Sequence, residues 1–163
     1  MIVSDSCTLI LLAKSMLLHI YTRNLSEKIC IPNAVYVEAT KGKQTEDAKL
    51  IEEYIKKNNI IIQPVNDTKK VEKLYLDFSI GKGEAEAICL CLEERGVLIT
   101  DDRKAIQLCK LFEIEFTTAL NILVALYKKQ KIKQDEAKAM IGQLAIHGRY
   151  SQTLLIQAQG EII

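Results

Sequence analysis

The chain has 163 residues, of which 48% are hydrophobic and 26% are charged, and this composition excludes a disordered protein. The 22 basic and 21 acidic residues give a formal net charge of +1, which excludes binding of nucleic acid by bulk charge but allows a local basic site. The length predicts a single domain, residues 1–163, that buries a core without disulfides.

The cysteines and the N-terminus indicate where the protein resides. The five cysteines are Cys7, Cys30, Cys89, Cys91 and Cys109, and they lack the spacing of a zinc site. We therefore interpret them as buried, reduced thiols. No signal-peptide pattern is visible at the N-terminus, and no segment reaches the ~20 apolar residues of a membrane span. These features predict a cytoplasmic protein with no membrane partner.

Short apolar segments alternate with amphipathic ones along the chain. The apolar segments predict strands and the periodic ones predict helices. In chain order we predict a strand at 2–4, a helix at 8–18, a strand at 30–32, a helix capped by Asn33, a helix at 45–58, a strand at 59–65, a helix at 68–77, a turn and helix at 81–96, a strand at 97–100, a helix at 103–112, a strand at 113–116, and helices at 118–129 and 134–147. The tail from residue 150 carries no prediction. The alternation predicts an α/β fold of three layers, α/β/α, with a central parallel sheet of short strands.

Acidic residues occur near the ends of the predicted strands. Asp5 follows the first strand, Asp101 and Asp102 follow strand 97–100, Glu38 lies near the end of the helix after the second strand, and Glu84 opens the helix after a Gly-Lys-Gly turn. Ligands bind at the carboxyl ends of the strands in open parallel sheets, so we expect these side chains to converge. Converging carboxylates repel each other unless a cation neutralises them, and oxygen ligands suit Mg²⁺ or Mn²⁺.

Each acid also has a structural interpretation. Asp5 could cap a helix, as could Asp101 or Asp102, while Glu84 in a first helical turn would favour the helix dipole. Glu38 alone would be interpreted as a surface residue. The conjunction favours a site, because Asp5 interrupts an otherwise apolar run and a partly buried carboxylate needs a partner.

Other polar residues are interpreted as structural. Glu86 is two positions from Glu84 on the predicted helix, so it points about 200° away and is expected at the surface. His19 and His147 lie in apolar helical stretches and are interpreted as structural. The basic run at 128–133 is interpreted as a solvated helix end.

Four segments together resemble the PIN-domain family. They are IVSDSCTLILLAK (2–14), IPNAVYVEA (31–39), GKGEAEAICLCLE (81–93) and LITDDRKA (98–105). The subgroup with a GEAEAI helix and a DDR-x-A turn, which is related to toxins of the VapC type, is the most similar, and Gly160-Glu161 matches its short tail. The resemblance covers almost the whole chain.

The resemblance implies a Mg²⁺- or Mn²⁺-dependent endoribonuclease that hydrolyses RNA phosphodiester bonds. It implies a catalytic set of Asp5, Glu38, Glu84 and either Asp101 or Asp102, with Asp5, Glu84, Asp101 and Asp102 as candidate metal ligands. Candidate substrate-binding residues are Ser6, Lys82, Arg103, Thr118 and Asn121. The chain departs from the subgroup at Cys7-Thr8, where Ser-Pro is usual, and at residues 118–121, where a Gly-Thr-Leu-Gly run is usual.

Other functions were weighed against this one. A phosphatase of the haloacid-dehalogenase type needs Asp-x-Asp, which Asp5-Ser6-Cys7 lacks, and the GKGE turn at 81–84 lacks the Gly-Lys-Ser/Thr ending of a P-loop. A receiver domain would need an acidic pair after the first strand. A catalytically weak PIN-fold module that binds RNA or protein remains an alternative. The resemblance also implies a toxin–antitoxin role with a small antitoxin partner, and a homodimer.

Overall fold

Five short strands form one parallel sheet. The computed structural model describes residues 1–163, with strands β1 (Ile2–Ser4), β2 (Ile29–Ile31), β3 (Ile60–Ile62), β4 (Val97–Ile99) and β5 (Phe116–Thr117) in the order β3-β2-β1-β4-β5. In the centre, β1 pairs with both neighbours, so that Val3 lies beside Cys30 and Ser4 beside Ile99. All pairings are parallel, and the carboxyl ends therefore share one edge. The strand order reverses between β1 and β4, which is where ligand sites form in such sheets.

Ten helices surround this sheet. They are α1 (Ser6–Lys14), α2 (Leu17–Asn24), α3 (Asn33–Thr40), α4 (Glu46–Lys56), α5 (Thr68–Phe78), α6 (Lys82–Glu94), α7 (Arg103–Leu111), α8 (Ala119–Lys128), α9 (Gln134–His147) and α10 (Gln152–Glu161). None of them combines the length and the apolar character that a membrane span requires. The predicted α/β class with a central parallel sheet is confirmed.

The core explains why the strands are apolar at successive positions. Val3, Ile31 and Leu98 are fully buried, and they belong to one hydrophobic cluster of 41 buried residues. A parallel strand covered by helices on both faces buries both of its alternating side-chain rows. The buried strands hold the polar residues that follow them at fixed positions on the carboxyl edge.

The predicted helix at 8–18 is wrong in one respect, because two helices occupy this region. Helix α1 ends at Lys14, and Met16 adopts a left-handed conformation with φ of 63° before α2 begins. The Ser15 hydroxyl donates to the carbonyl oxygen of Leu11 at 2.8 Å and closes the last turn of α1. No glycine or proline marks this break, so the continuous apolar run suggested one helix.

Two further details differ from the prediction, and the tail, for which there was none, forms a helix. Asn33 is the first residue of α3, and Pro32 rather than Asn33 occupies the capping position. The fifth strand lies at Phe116–Thr117 instead of 113–116, because Glu113 turns the chain with a φ of 56°. The tail forms α10, whose N-terminus is capped by the Ser151 hydroxyl.

The cysteines are all free thiols, and four of them are buried as expected. The interpretation is wrong for Cys7, which is exposed. Cys7 lies in the first turn of α1, next to the carboxyl edge of the sheet, where the helix is not covered on its outer side.

Candidate functional site

Asp5 is a buried carboxylate with one unpaired oxygen. It caps α1, since its Oδ1 accepts a hydrogen bond from the Thr8 amide at 2.7 Å. The side chain is only 1% exposed, and its Oδ2 has no hydrogen-bond partner. Burial raises the pKa of Asp5 to about 6; hydrogen bonding near Thr8 and Thr100 opposes this shift and the charge of Glu84 adds to it. A buried polar atom without a partner is costly, so Oδ2 is a candidate cation ligand.

Glu38 joins three helices at the same edge. Its Oε2 accepts from the Ser6 hydroxyl at 2.6 Å, and its Oε1 accepts from the Gly83 amide at 3.0 Å. Gly83 lies in the first turn of α6, where backbone amides have no partner within the helix. A Cβ atom at position 83 would lie 2.4 Å from Glu38 Oε2, so the carboxylate occupies the space that any side chain would fill.

Glu84 completes the N-terminus of α6. Its Oε2 accepts from the Gly81 amide at 2.8 Å, as the third residue of a helix often does. Burial raises the pKa of Glu84; the Gly81 bond opposes this, and the charges of Asp102 and Glu38 raise the pKa further. Lys104 lowers the pKa of Glu84 and is therefore a cation close to these acids.

Asp101 has both carboxylate oxygens occupied. The Tyr150 hydroxyl donates to Oδ1, and the Ala119 amide donates to Oδ2 at 3.1 Å. The backbone amide of Asp101 donates to the Thr8 hydroxyl at 2.8 Å, so Thr8 connects Asp101 to Asp5. Burial raises the pKa of Asp101, and the bonds from Tyr150 and Ala119 oppose that shift. Asp101 therefore faces α8 and the C-terminal segment.

Asp102 has one free oxygen. Its Oδ1 caps α7 by accepting from the Ala105 amide at 2.9 Å, and its amide donates to the Thr100 hydroxyl at 3.2 Å. The charge of Asp102 raises the pKa of Glu84, which places the two carboxylates near each other. The two neighbouring aspartates thus have different hydrogen-bond partners: Asp101 accepts from Tyr150 and Ala119, and Asp102 accepts from Ala105.

The acids near this edge of the sheet have a chemistry that fits a hard divalent cation. No three His, Cys, Asp or Glu side chains lie close enough, as they stand, to surround a metal ion. The donors available are carboxylate oxygens, and one of them is the unpaired Oδ2 of Asp5. Such a donor set fits Mg²⁺ or Mn²⁺, which retain several waters and need only a few protein ligands.

A family model for the PIN domain matches residues 1–159. This chain belongs to the PIN-domain family. PIN domains are generally nucleases and typically use divalent metals, so the fold of this chain is of a nuclease type. Comparisons with curated proteins and with solved structures gave no match.

The five predicted substrate-binding residues of this PIN domain differ from one another in burial and in hydrogen bonding. Ser6 is buried, and its hydroxyl bonds to Glu38. Lys82 and Arg103 are exposed first residues of α6 and α7, without hydrogen bonds from their side chains. Thr118 caps α8 by accepting from the Asn121 amide at 3.1 Å, and the Asn121 side chain is exposed. The 118–121 turn instead contacts the acids through the backbone amide of Ala119.

The surface interpretation of Glu86 is wrong. Its Oε2 accepts from the Ala34 amide at 2.8 Å, in the first turn of α3, and the side chain is half-buried. Helix α6 packs against both α3 and α5, so the face opposite the core is covered as well. Glu86 and Lys82 line a cleft of about 580 Å³, which contains none of the five candidate acids.

The histidines differ from each other. His19 Nδ1 bonds to the Tyr54 hydroxyl at 2.6 Å, in keeping with a structural role. His147 is exposed at the end of α9 and lines a smaller cleft, of about 300 Å³, beside Asp101 and Asp102.

Sequence reasoning missed Thr8, Lys104, Tyr150 and the Ala119 amide. The sequence carries no specific pattern for a tyrosine that returns to a strand end from 49 residues away. Gly148 is the one nearby residue type that hints at this arrangement, because the Tyr150 ring needs the space that a side chain would fill: a Cβ atom at position 148 would lie 2.6 Å from the ring.

Proposed function

We propose that this PIN domain is a Mg²⁺- or Mn²⁺-dependent endoribonuclease that hydrolyses RNA phosphodiester bonds. The observation that carries this function is the unpaired, buried Oδ2 of Asp5 in a group of carboxylates. Each of these carboxylates raises the cost of ionising its neighbours, and a divalent cation removes that cost. Family membership supports the nuclease function.

Asp5, Glu84 and Asp102 are the proposed metal ligands. Each uses one oxygen to accept a backbone amide at a helix start and keeps the other oxygen free of protein hydrogen bonds. The amide bond fixes the side-chain rotamer, so the free oxygen is oriented before the metal arrives.

Glu38 and Asp101 have a different proposed role, because both oxygens of each accept hydrogen bonds. Glu38 remains exposed, and we assign it to orienting the attacking water. Asp101 holds the 118–121 turn and the C-terminal segment in place beside the ligands.

A divalent ion held by these residues would supply a water of lowered pKa and would neutralise charge on the phosphate. The chain itself contributes cations that attract the RNA backbone. Lys104 lies near Glu84, and Lys82 and Arg103 are exposed at the starts of the helices that carry Glu84 and follow Asp102. Binding through such contacts weakens as salt rises.

The test is cleavage of a fluorescent single-stranded RNA by the full chain in Mn²⁺ and in EDTA. We expect Asp5→Asn and Asp102→Asn each to lower the Mn²⁺-dependent rate by about 10²-fold or more, as loss of a catalytic group does. Glu53→Gln, at an exposed acid on α4, serves as the control and should cleave normally. Mn²⁺-dependent cleavage that survives Asp5→Asn would contradict the mechanism.

A catalytically weak module that binds RNA or protein is the second candidate. It is favoured by the absence of a ready-made metal site and by the altered 118–121 turn. Mn²⁺ binding and RNA binding without cleavage would establish it. The toxin role, the small antitoxin partner and the homodimer stay predictions of the family resemblance, and the cytoplasmic location stays a prediction from the cysteines and the N-terminus.

A further inference from the structure

The smaller cleft lies directly beside the proposed metal ligands. Its volume is about 300 Å³, and Asp101 and Asp102 form one end of it. Helix α1 forms one wall through Cys7, Ile10 and Leu11, and the chain that leaves α9 forms the other through His147, Arg149 and Tyr150.

The second wall of this cleft is held by contacts to a site residue. The Tyr150 hydroxyl donates to Asp101, and the backbone at Gly148 passes so close to the Tyr150 ring that a Cβ atom there would lie 2.6 Å away. A Cβ atom at Gly148 would also lie 2.7 Å from the Leu144 carbonyl oxygen. The segment at 148–150 is therefore held in place by its own close packing and by the hydrogen bond from Tyr150 to Asp101.

Cys7 connects the cleft to the metal ligands. Cys7 lies in the first turn of α1, two residues after Asp5 and next to Ser6, whose hydroxyl bonds to Glu38. The Cys7 thiol lines the cleft and is exposed. A molecule that spans the cleft and the acids would therefore cover Cys7.

The chemistry of the lining matches a nucleotide. Ile10 and Leu11 offer an apolar surface, and Arg149 and His147 supply the only basic side chains of the cleft. A base of single-stranded nucleic acid is free to stack on side chains, and its phosphate pairs with arginine. The volume is at the lower end for a small-molecule site and suits one nucleotide better than a helix or a protein segment.

We propose that this cleft binds the RNA nucleotide next to the scissile phosphate, with its base against Ile10 and Leu11 and its phosphate at Arg149. The inference rests on the proposed nuclease function, because the scissile phosphate is placed at Asp102 and Asp5. It adds a substrate subsite that consists of α1 and the segment after α9.

Protection of Cys7 from alkylation tests this subsite without measuring activity. The other four cysteines are buried, so the first adduct with N-ethylmaleimide, followed by intact mass, reports on Cys7. The probe is a tetranucleotide RNA with phosphorothioate linkages, which resists hydrolysis, in Mn²⁺, and its binding is measured in parallel by fluorescence anisotropy. We expect saturating RNA to slow alkylation of Cys7 by about tenfold or more.

Arg149→Ala should weaken RNA binding roughly fivefold, as loss of one phosphate contact does. The RNA concentration that half-protects Cys7 from alkylation should rise by the same factor. Arg23→Ala, at an exposed arginine of α2 outside this cleft, is the matched control and should change neither. RNA that binds while Cys7 reacts at its unchanged rate would overturn the subsite and leave the nuclease function standing. Protection of Cys7 without Mn²⁺-dependent cleavage would support nucleotide binding in this cleft but overturn the nuclease function, and absence of RNA binding would overturn both.

Discussion

Gly83 lies against the carboxylate of Glu38, and replacing it with alanine tests whether that contact matters to the site. The added Cβ would be 2.4 Å from Oε2, 2.8 Å from Cδ and 2.9 Å from Oε1. These separations are too short for any real contact, so the Glu38 carboxylate has to move by about 1 Å to reach van der Waals distance. Both of its hydrogen bonds, from Ser6 and from the Gly83 amide, are then stretched or lost.

Gly83→Ala should have a small effect on the free energy of unfolding and a large effect on the cleavage rate. Loss of hydrogen bonds to a charged group costs about 1.5–3 kcal/mol, and the change from glycine to alanine in a helix returns about 1 kcal/mol. Glu38 is exposed and can relax into solvent, so we expect a net loss of stability of about 1 kcal/mol. A displacement of about 1 Å in a catalytic group costs up to about 10²-fold in rate. Gly83→Ala should therefore lower Mn²⁺-dependent RNA cleavage far more than it lowers the free energy of unfolding.

The assay is cleavage of a fluorescent RNA, paired with urea denaturation of the same preparation. Gly142→Ala provides the matched control, because this glycine is also helical and a Cβ atom there would have nothing within 4 Å. The control should gain up to about 1 kcal/mol of stability and keep the wild-type cleavage rate. Wild-type cleavage by a folded Gly83→Ala variant would refute the assignment of Glu38 to the site.

Three other predictions follow from the hydrogen bonds and charges of the site. The pKa of about 6 for folded Asp5 exceeds its ordinary value near 3.8, so in EDTA the folded state should lose about 2 kcal/mol of stability as pH rises from 4 to 7, and Asp5→Asn should flatten that slope in urea denaturation. An unchanged slope in the variant would show that the Asp5 charge is not the cause. Asp102→Asn should weaken Mn²⁺ binding, measured by calorimetry, about tenfold or more, whereas Asp101→Asn should chiefly lower the free energy of unfolding. The reverse result would make Asp101 the metal ligand and Asp102 the structural residue. Tyr150→Phe should lower the free energy of unfolding by about 1–3 kcal/mol with little change in Mn²⁺ affinity, because the Asp101 oxygen loses its donor; equal stability would mean that solvent replaces the hydroxyl.

The fold was predictable because its main signals are local. Each strand is a short apolar run, and each long helix has apolar residues at helical spacing, so the positions of most elements followed from the residues themselves. The break at Met16 and the turn at Glu113 were not predictable, since both depend on left-handed conformations of residues that rarely adopt them. The tertiary contacts of each turn stabilise those conformations, and a single sequence does not display such contacts.

The candidate site was predictable only in outline. The rule for parallel sheets placed Asp5, Asp101 and Asp102 at one edge, because it requires only strand ends. It could not distinguish the two neighbouring aspartates, because their difference comes from Tyr150, 49 residues away in the chain. The position of Glu38 likewise depends on Gly83, 45 residues away.

The structure also shows that one carboxylate can cap a helix and still have an oxygen available for a cation. From the sequence, helix capping is the alternative to metal binding for Asp5 and Asp102, and a favourable place at the helix dipole is the alternative to metal binding for Glu84. A carboxylate has two oxygens, and in all three residues one oxygen accepts a helix-start amide while the other forms no protein hydrogen bond. The cap therefore favours the ligand role, because it anchors the side chain and leaves the second oxygen free at the edge where the strands end. Helices α1 and α7 begin directly after β1 and β4, whereas α6, which carries Glu84, follows α5. At the starts of α1 and α7 the capping acid is therefore held at the carboxyl edge of the sheet with one oxygen that forms no protein hydrogen bond.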